Sequence, residues 1–161
     1  MSAYESTFTV TGNPSAVLQT VELKNPAASG KALRVLRIGV NAEATFQTWE
    51  ACRYNGHATH GIGPDAPSTG DIHKRNSADG ASVASIFYSS NQDSFDWSSV
   101  TETYCHPETI DASDAGDDAE IIFCKYIDQV DALVINQGES MSIKIPAGEL
   151  DYTIGILWKE V

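Results

Sequence analysis

The sequence predicts an all-β protein folded as a single-domain β-sandwich, and three observations carry that prediction. Near the end of the chain, Met141, Ile143 and Ile145 alternate with Ser140, Ser142 and Lys144. Tyr152, Ile154, Ile156 and Trp158 then alternate with Asp151, Thr153, Gly155 and Leu157. Successive side chains of a strand point to opposite faces, so strict period-two alternation marks strands with one face on a core. Short β-rich runs between turn-forming residues recur along the rest of the chain, with no convincing amphipathic helix among them. No internal repeat at a fixed period appears, which disfavours propellers and solenoids. About eight core strands with long loop excursions suit a jelly roll first and an up-and-down barrel second.

Taken in order, residues 1–13 are polar apart from Phe8 and Val10, and read as an extended N-terminal arm or an edge strand. Residues 14–161 form the sandwich domain. Ala16 to Leu23 places Val17, Val21 and Leu23 on one face, with Leu18, Thr20 and Glu22 on the other. Lys24 to Lys31 is a loop, broken by Pro26 and by Ser29-Gly30. Leu33 to Val40 has a strong β signal with a slip of phase between Val35 and Leu36, the mark of a bulge or of burial on both faces. Thr45 to Tyr54 is β-rich again. Asn55 to Gly80 has neither periodicity and predicts a large surface excursion holding a short helix or ribbon. Ser82 to Tyr88, Val100 to Cys105 and Glu120 to Tyr126 are further strands, and Pro107 to Ala119 is an acidic loop. Three strands close the chain: Ala132 to Ile135, Ser140 to Ile145 and the run around Tyr152 to Trp158. Gly138 is expected to turn the first two into a hairpin.

A chain of 161 residues buries enough surface to fold as one domain without staples. Its 22 acidic residues against 10 basic ones give a net charge of −12. That leaves few cations to displace counterions from a phosphate backbone or to meet an anionic bilayer, so neither nucleic acid nor membrane is an expected partner. Residues 1–10 lack the basic and apolar segments of a secretory leader, which predicts folding in a cytoplasm. Cys52, Cys105 and Cys124 are odd in number and widely spaced, and are expected to be free, small hydrophobes.

Several constellations of side chains bear on chemistry. His57 and His60 would share a helical face as metal ligands, but the Gly, Thr and Pro around them make that helix unexpected. A cupin-like site would need His-x-His on a strand, which is missing. Asp111, Asp114, Asp117, Asp118 and Glu120 are acidic enough to bridge a cation between subunits, yet lack the D-x-D-x-D-G calcium pattern. Gly-x-Ser-x-Gly and P-loop patterns are absent, so neither an enzyme nor a cofactor is expected. Tyr54, Tyr88, Phe95, Trp97 and Tyr104 are candidates for a sugar-stacking platform, with core packing the preferred reading.

The segments Asn25 to Val40 (NPAASGKALRVLRIGV), Gln137 to Pro146 (QGESMSIKIP) and Tyr152 to Val161 (YTIGILWKEV) together resemble the capsid decoration, or cement, proteins of tailed bacteriophages. The resemblance touches about a third of the chain. It implies a non-enzymatic jelly-roll protein on the virion exterior, assembled in the host cytoplasm. Its partners would be the major capsid protein and further copies of itself, as a homotrimer. On that reading Tyr4, Phe8, Val10, His57, His60, Asp114 and Asp117 are candidate capsid or subunit contacts. The N-terminal arm would add a strand to a neighbour's sheet. The alternative is a carbohydrate- or receptor-binding module, and a weaker third is a cupin-type or epimerase-type enzyme.

Overall fold

The alternation read from the sequence sorts side chains between two faces in a computed structural model that describes residues 2–10, 18–42, 47–110, 118–122, 133–145 and 151–161. The strands are β1 (Ser2–Val10), β2 (Leu18–Lys24), β3 (Leu33–Ala42), β4 (Gln47–Tyr54), β5 (Thr59–His60), β6 (Ser68–Thr69) and β7 (His73–Lys74). They continue as β8 (Ser85–Tyr88), β9 (Phe95–Asp96), β10 (Glu102–Ile110), β11 (Asp118–Ile122), β12 (Leu133–Ile135), β13 (Ser140–Ile145) and β14 (Tyr152–Glu160). Two antiparallel sheets form a sandwich. One has the order β11-β3-β14-β1-β7, with β12 also on β3, and the other β10-β4-β13-β2-β8-β6. Helical structure among the described residues is limited to two 3₁₀ turns, Gly63–Asp65 and Gln92–Ser94, and no helix there is long and apolar enough to cross a membrane.

The core lies between the sheets. Ile38, Ile154, Ile156 and Trp158 from the first meet Val21, Trp49, Met141 and Ile143 from the second, all buried. The phase slip in β3 is a bulge. Leu157 pairs with Arg37 and Trp158 with Val35, so Leu36 is the extra residue. Inserting it restores the alternation, and Leu33, Val35, Ile38 and Val40 all reach the same core.

Residues 2–10 are a strand rather than a free arm. β1 pairs with β14 along its whole length, from Ser2↔Glu160 to Val10↔Tyr152. Tyr4, Phe8 and Val10 are buried. Tyr4 stacks on Trp158 and Phe8 on Tyr88. These three side chains are core, which corrects their reading as external contacts, and β7 covers the other edge of β1 at Tyr4 and Glu5.

Three further expectations change. The turn at Asn136–Glu139 forms, with Glu139 N–H donating to Asn136 O and Gly138 at φ +81°, a conformation that suits glycine. It does not make a hairpin, because β12 pairs with β3 in one sheet while β13 pairs with β2 and β4 in the other. The segment Pro107 to Ala119 is not all loop, since β10 runs through Pro107 to Ile110 and β11 begins at Asp118. A proline is tolerated there because β10 is the last strand of its sheet among the described residues. Asp114, Asp117 and Cys124 lie outside the described residues. Finally, Cys52 and Cys105 are joined in a disulfide across β4 and β10. They are direct partners in the strand register, which wide sequence spacing conceals.

Candidate functional site

The most chemically varied surface is the outer face of the second sheet. β4 sends Trp49 and Ala51 into the core, so Glu50, Cys52 and Tyr54 project outward, in keeping with the two-residue period. β13 likewise buries Met141 and Ile143 in the core and turns Ser142 and Lys144 out. One cross-strand row runs Cys105, Cys52, Ser142, Glu22 and Phe87 in register.

Part of this face is roofed by the excursion between β4 and β10. Ala58, Phe95 and Trp97 close over Cys52 and Tyr54 as a second, smaller core. Tyr54 and Trp97 have ring centroids 4.2 Å apart. The excursion also extends both sheets, β7 beside β1 and β8 with β6 beside β2. Gly61 is needed where the roof folds tightly, because a Cβ there would lie 2.5 Å from the Asp65 carbonyl oxygen.

Glu22 is fully buried beneath the roof. Its Oε1 accepts from the Ala58 N–H at 2.9 Å, and its Oε2 lies 2.6 Å from His60 Nε2. The His60 ring meets Phe87 and Phe95 edge-on. His57 Nε2 is 3.0 Å from the Asn25 carbonyl oxygen. The two histidines thus engage different partners and do not converge on a metal position. Both are half-buried and bonded within the chain.

Asn25 gathers the motifs that carried the family resemblance. Its side chain donates to Lys31 O and Ile135 O, its N–H to Glu139 O, and its carbonyl accepts from Gly138 N–H. Lys31 pairs with Glu160 at 2.9 Å, and Ala32 exchanges backbone hydrogen bonds with Val161. The Asn25–Lys31 loop, the Gly138 turn and the end of β14 therefore meet in one corner. Their role there is to lock loops to sheets.

Beyond the roof lies a charged cluster. Lys144 Nζ is 2.6 Å from Glu102 and 3.9 Å from Glu50, and the Tyr54 hydroxyl donates to Glu102 at 3.2 Å. Glu50, Cys52 and Cys105 hold their ligand-type atoms within 4.8 Å of one another, but both sulphurs are engaged in the disulfide. Burial opposes the charge on Lys144, yet the Glu102 hydrogen bond and nearby negative groups outweigh it and raise the ammonium pKa above its ordinary value. Burial raises the Tyr54 phenol, against the smaller opposing effects of Ser142 and Lys144.

Both shifts have the same consequence. A group whose folded pKa exceeds its unfolded one holds its proton more tightly in the native state, so its contribution is complete below the unfolded pKa. That contribution falls as pH rises through the folded pKa. Stability is expected to decline above about pH 10, and Lys144→Gln should flatten the decline. Urea midpoints measured from pH 8 to 11.5 test this; a slope unchanged in the variant refutes it.

No family model, no curated protein and no solved structure matches the chain. Among the aromatic candidates for a sugar platform, Tyr54 is packed beneath the roof, Phe95 and Trp97 are buried as its underside, Tyr88 is half-buried on Phe8, and Tyr104 is exposed. Sequence reasoning missed Glu22 and the cysteine pair. Glu22 stood on the outward face of a strand, and only the roof makes that face an interior.

Proposed function

We propose that this chain is a non-enzymatic virion protein that binds the outside of a phage capsid as a homotrimer and bridges major capsid proteins. The observation that carries the reading is the strand order. β11-β3-β14-β1 faces β10-β4-β13-β2, with the chain alternating between sheets from β1 to β4 and again from β11 and β12 to β14. Eight strands in that double Greek-key arrangement support a jelly roll, an architecture used by viral capsid proteins.

Two further features agree with it. The quoted motifs meet as a structural corner, which suits a resemblance based on turns. The disulfide suits a particle exposed to an oxidising exterior, since such bonds persist on virion surfaces and are rare in a cytosol. A cupin-type enzyme would need polar ligands on inward strand faces, whereas here those faces contribute mainly Ile, Val, Leu and aromatic side chains. A lectin reading loses most of its aromatic platform to the roof.

The test is sedimentation and binding. The purified chain is expected to sediment as a trimer and to saturate undecorated shells built from the major capsid protein of the phage that encodes it. A monomer at high concentration that leaves such shells bare overturns the proposal. Glycan-array binding in place of shell binding would favour the receptor-binding alternative.

A further inference from the structure

We propose that Cys105 is the redox-reactive sulphur of the cysteine pair and that Lys144 is the positioning residue that sets its reactivity, so the bond closes on the folded sheet by oxidation at Cys105. Three observations lead there. The register brings the sulphurs together: Cys105 faces Cys52 within a ladder that continues through His106↔Ala51 to Ile110↔Gln47. Closing the bond therefore needs no rearrangement of the strands.

The two sulphurs also differ in access. Cys52 is fully buried in the small core beside Tyr54 and Trp97, while Cys105 is half-buried on the strand that ends its sheet. A reagent in solution reaches Cys105 first. Finally, Lys144 Nζ lies 3.9 Å from Cys105 Sγ. The thiolate is the nucleophile, and a nearby cation favours it.

The neighbouring charges set the sign of each substitution. From β4 comes Glu50, from β10 Glu102 and His106, and from β13 Lys144, which is ion-paired with both glutamates. Removing the lysine charge leaves two carboxylates near the thiol and disfavours its ionisation. Removing the Glu50 charge does the reverse.

The chemistry balances with a small disulfide as oxidant. Cys105 thiolate attacks one sulphur of the oxidant, forming a mixed disulfide and releasing one thiolate. Cys52 then attacks the Cys105 sulphur, gives up its proton to the departing thiolate and closes the protein bond. The protein loses two electrons and two protons, and the oxidant becomes two thiols.

The experiment uses the full chain, reduced and shown to be folded by near-UV circular dichroism, with oxidised glutathione as the oxidant. Iodoacetamide labelling read by peptide mass separates Cys52, Cys105 and Cys124. Cys105 is expected to label about tenfold faster than Cys52. Lys144→Gln should slow both labelling of Cys105 and bond closure by about fivefold or more, Lys144→Arg should preserve them, and Glu50→Gln should speed them. A sheet merely loosened by Lys144→Gln would expose both cysteines and raise both rates, which overturns the proposal, as does faster labelling of Cys52. If the reduced wild-type chain does not stay folded, Cys52→Ser carries the same comparison on Cys105 alone. If Cys52→Ser does not fold either, closure on a folded sheet is overturned.

Discussion

A chain lacking residues 1–10 is expected not to fold. Deletion removes every rung of the β1–β14 ladder and takes Tyr4, Phe8 and Val10 out of the core. Truncating one buried aromatic typically costs about 3–5 kcal/mol, and a domain's whole stability is only about 5–15 kcal/mol. Loss of two aromatics, a valine and a strand exceeds that margin. Tyr4→Ala alone, which empties the place against Trp158, should cost about 3 kcal/mol or more in urea denaturation. A truncated chain with native near-UV circular dichroism and an unchanged melting temperature would refute this. It would also restore the segment's reading as a detachable arm, so the deletion cannot serve to test capsid attachment.

The second large effect is expected at Glu22. Glu22→Ala leaves the Ala58 N–H and the His60 ring without the carboxylate that holds them, and opens space under the roof. His60→Ala instead leaves the buried carboxylate with one hydrogen bond fewer. Leaving a buried hydrogen-bonding group without its partner costs about 1–3 kcal/mol, and more when the group is charged. Glu22→Gln should cost less, about 1–2 kcal/mol, because its oxygen can still accept from Ala58 and its amide can donate to the ring. Guanidinium melts of the three variants give the order, with Gln mildest. Equal losses for Gln and Ala would mean that packing, and not hydrogen bonding to the roof, is what Glu22 contributes.

Those two sites mark the limits of what could be read in advance. The strands around Met141–Ile145 and Tyr152–Trp158 were legible because alternation is a local property of a half-buried strand. So was the bulge at Leu36, since an extra residue leaves a trace in the phase. Which strands pair is not local. Residues on either side of the Gly138 turn suggested a hairpin, but one backbone reversal serves equally well to cross from sheet to sheet. The cysteine bridge depends on β4 lying beside β10, and nothing near Cys52 or Cys105 in the sequence announces it. Glu22 was hidden for a related reason. A strand's second face reads as solvent-facing until some remote segment, here Ala58 to Trp97, is laid over it.

That same remote segment leaves the sandwich lopsided. Among the described residues, two-residue strands finish both sheets on the flank of β1 and β2, while β10 and β11 finish the opposite flank. Very short terminal strands offer little ladder for another chain to copy, and β10 carries Pro107, which has no N–H to give. A sheet open at both ends could be lengthened by copies of itself without limit. A two-residue strand laid at one end leaves less of that edge to copy. Edge-to-edge growth meets its shortest ladders at β6 and β7, which makes that flank the poorer place for another copy to add a strand.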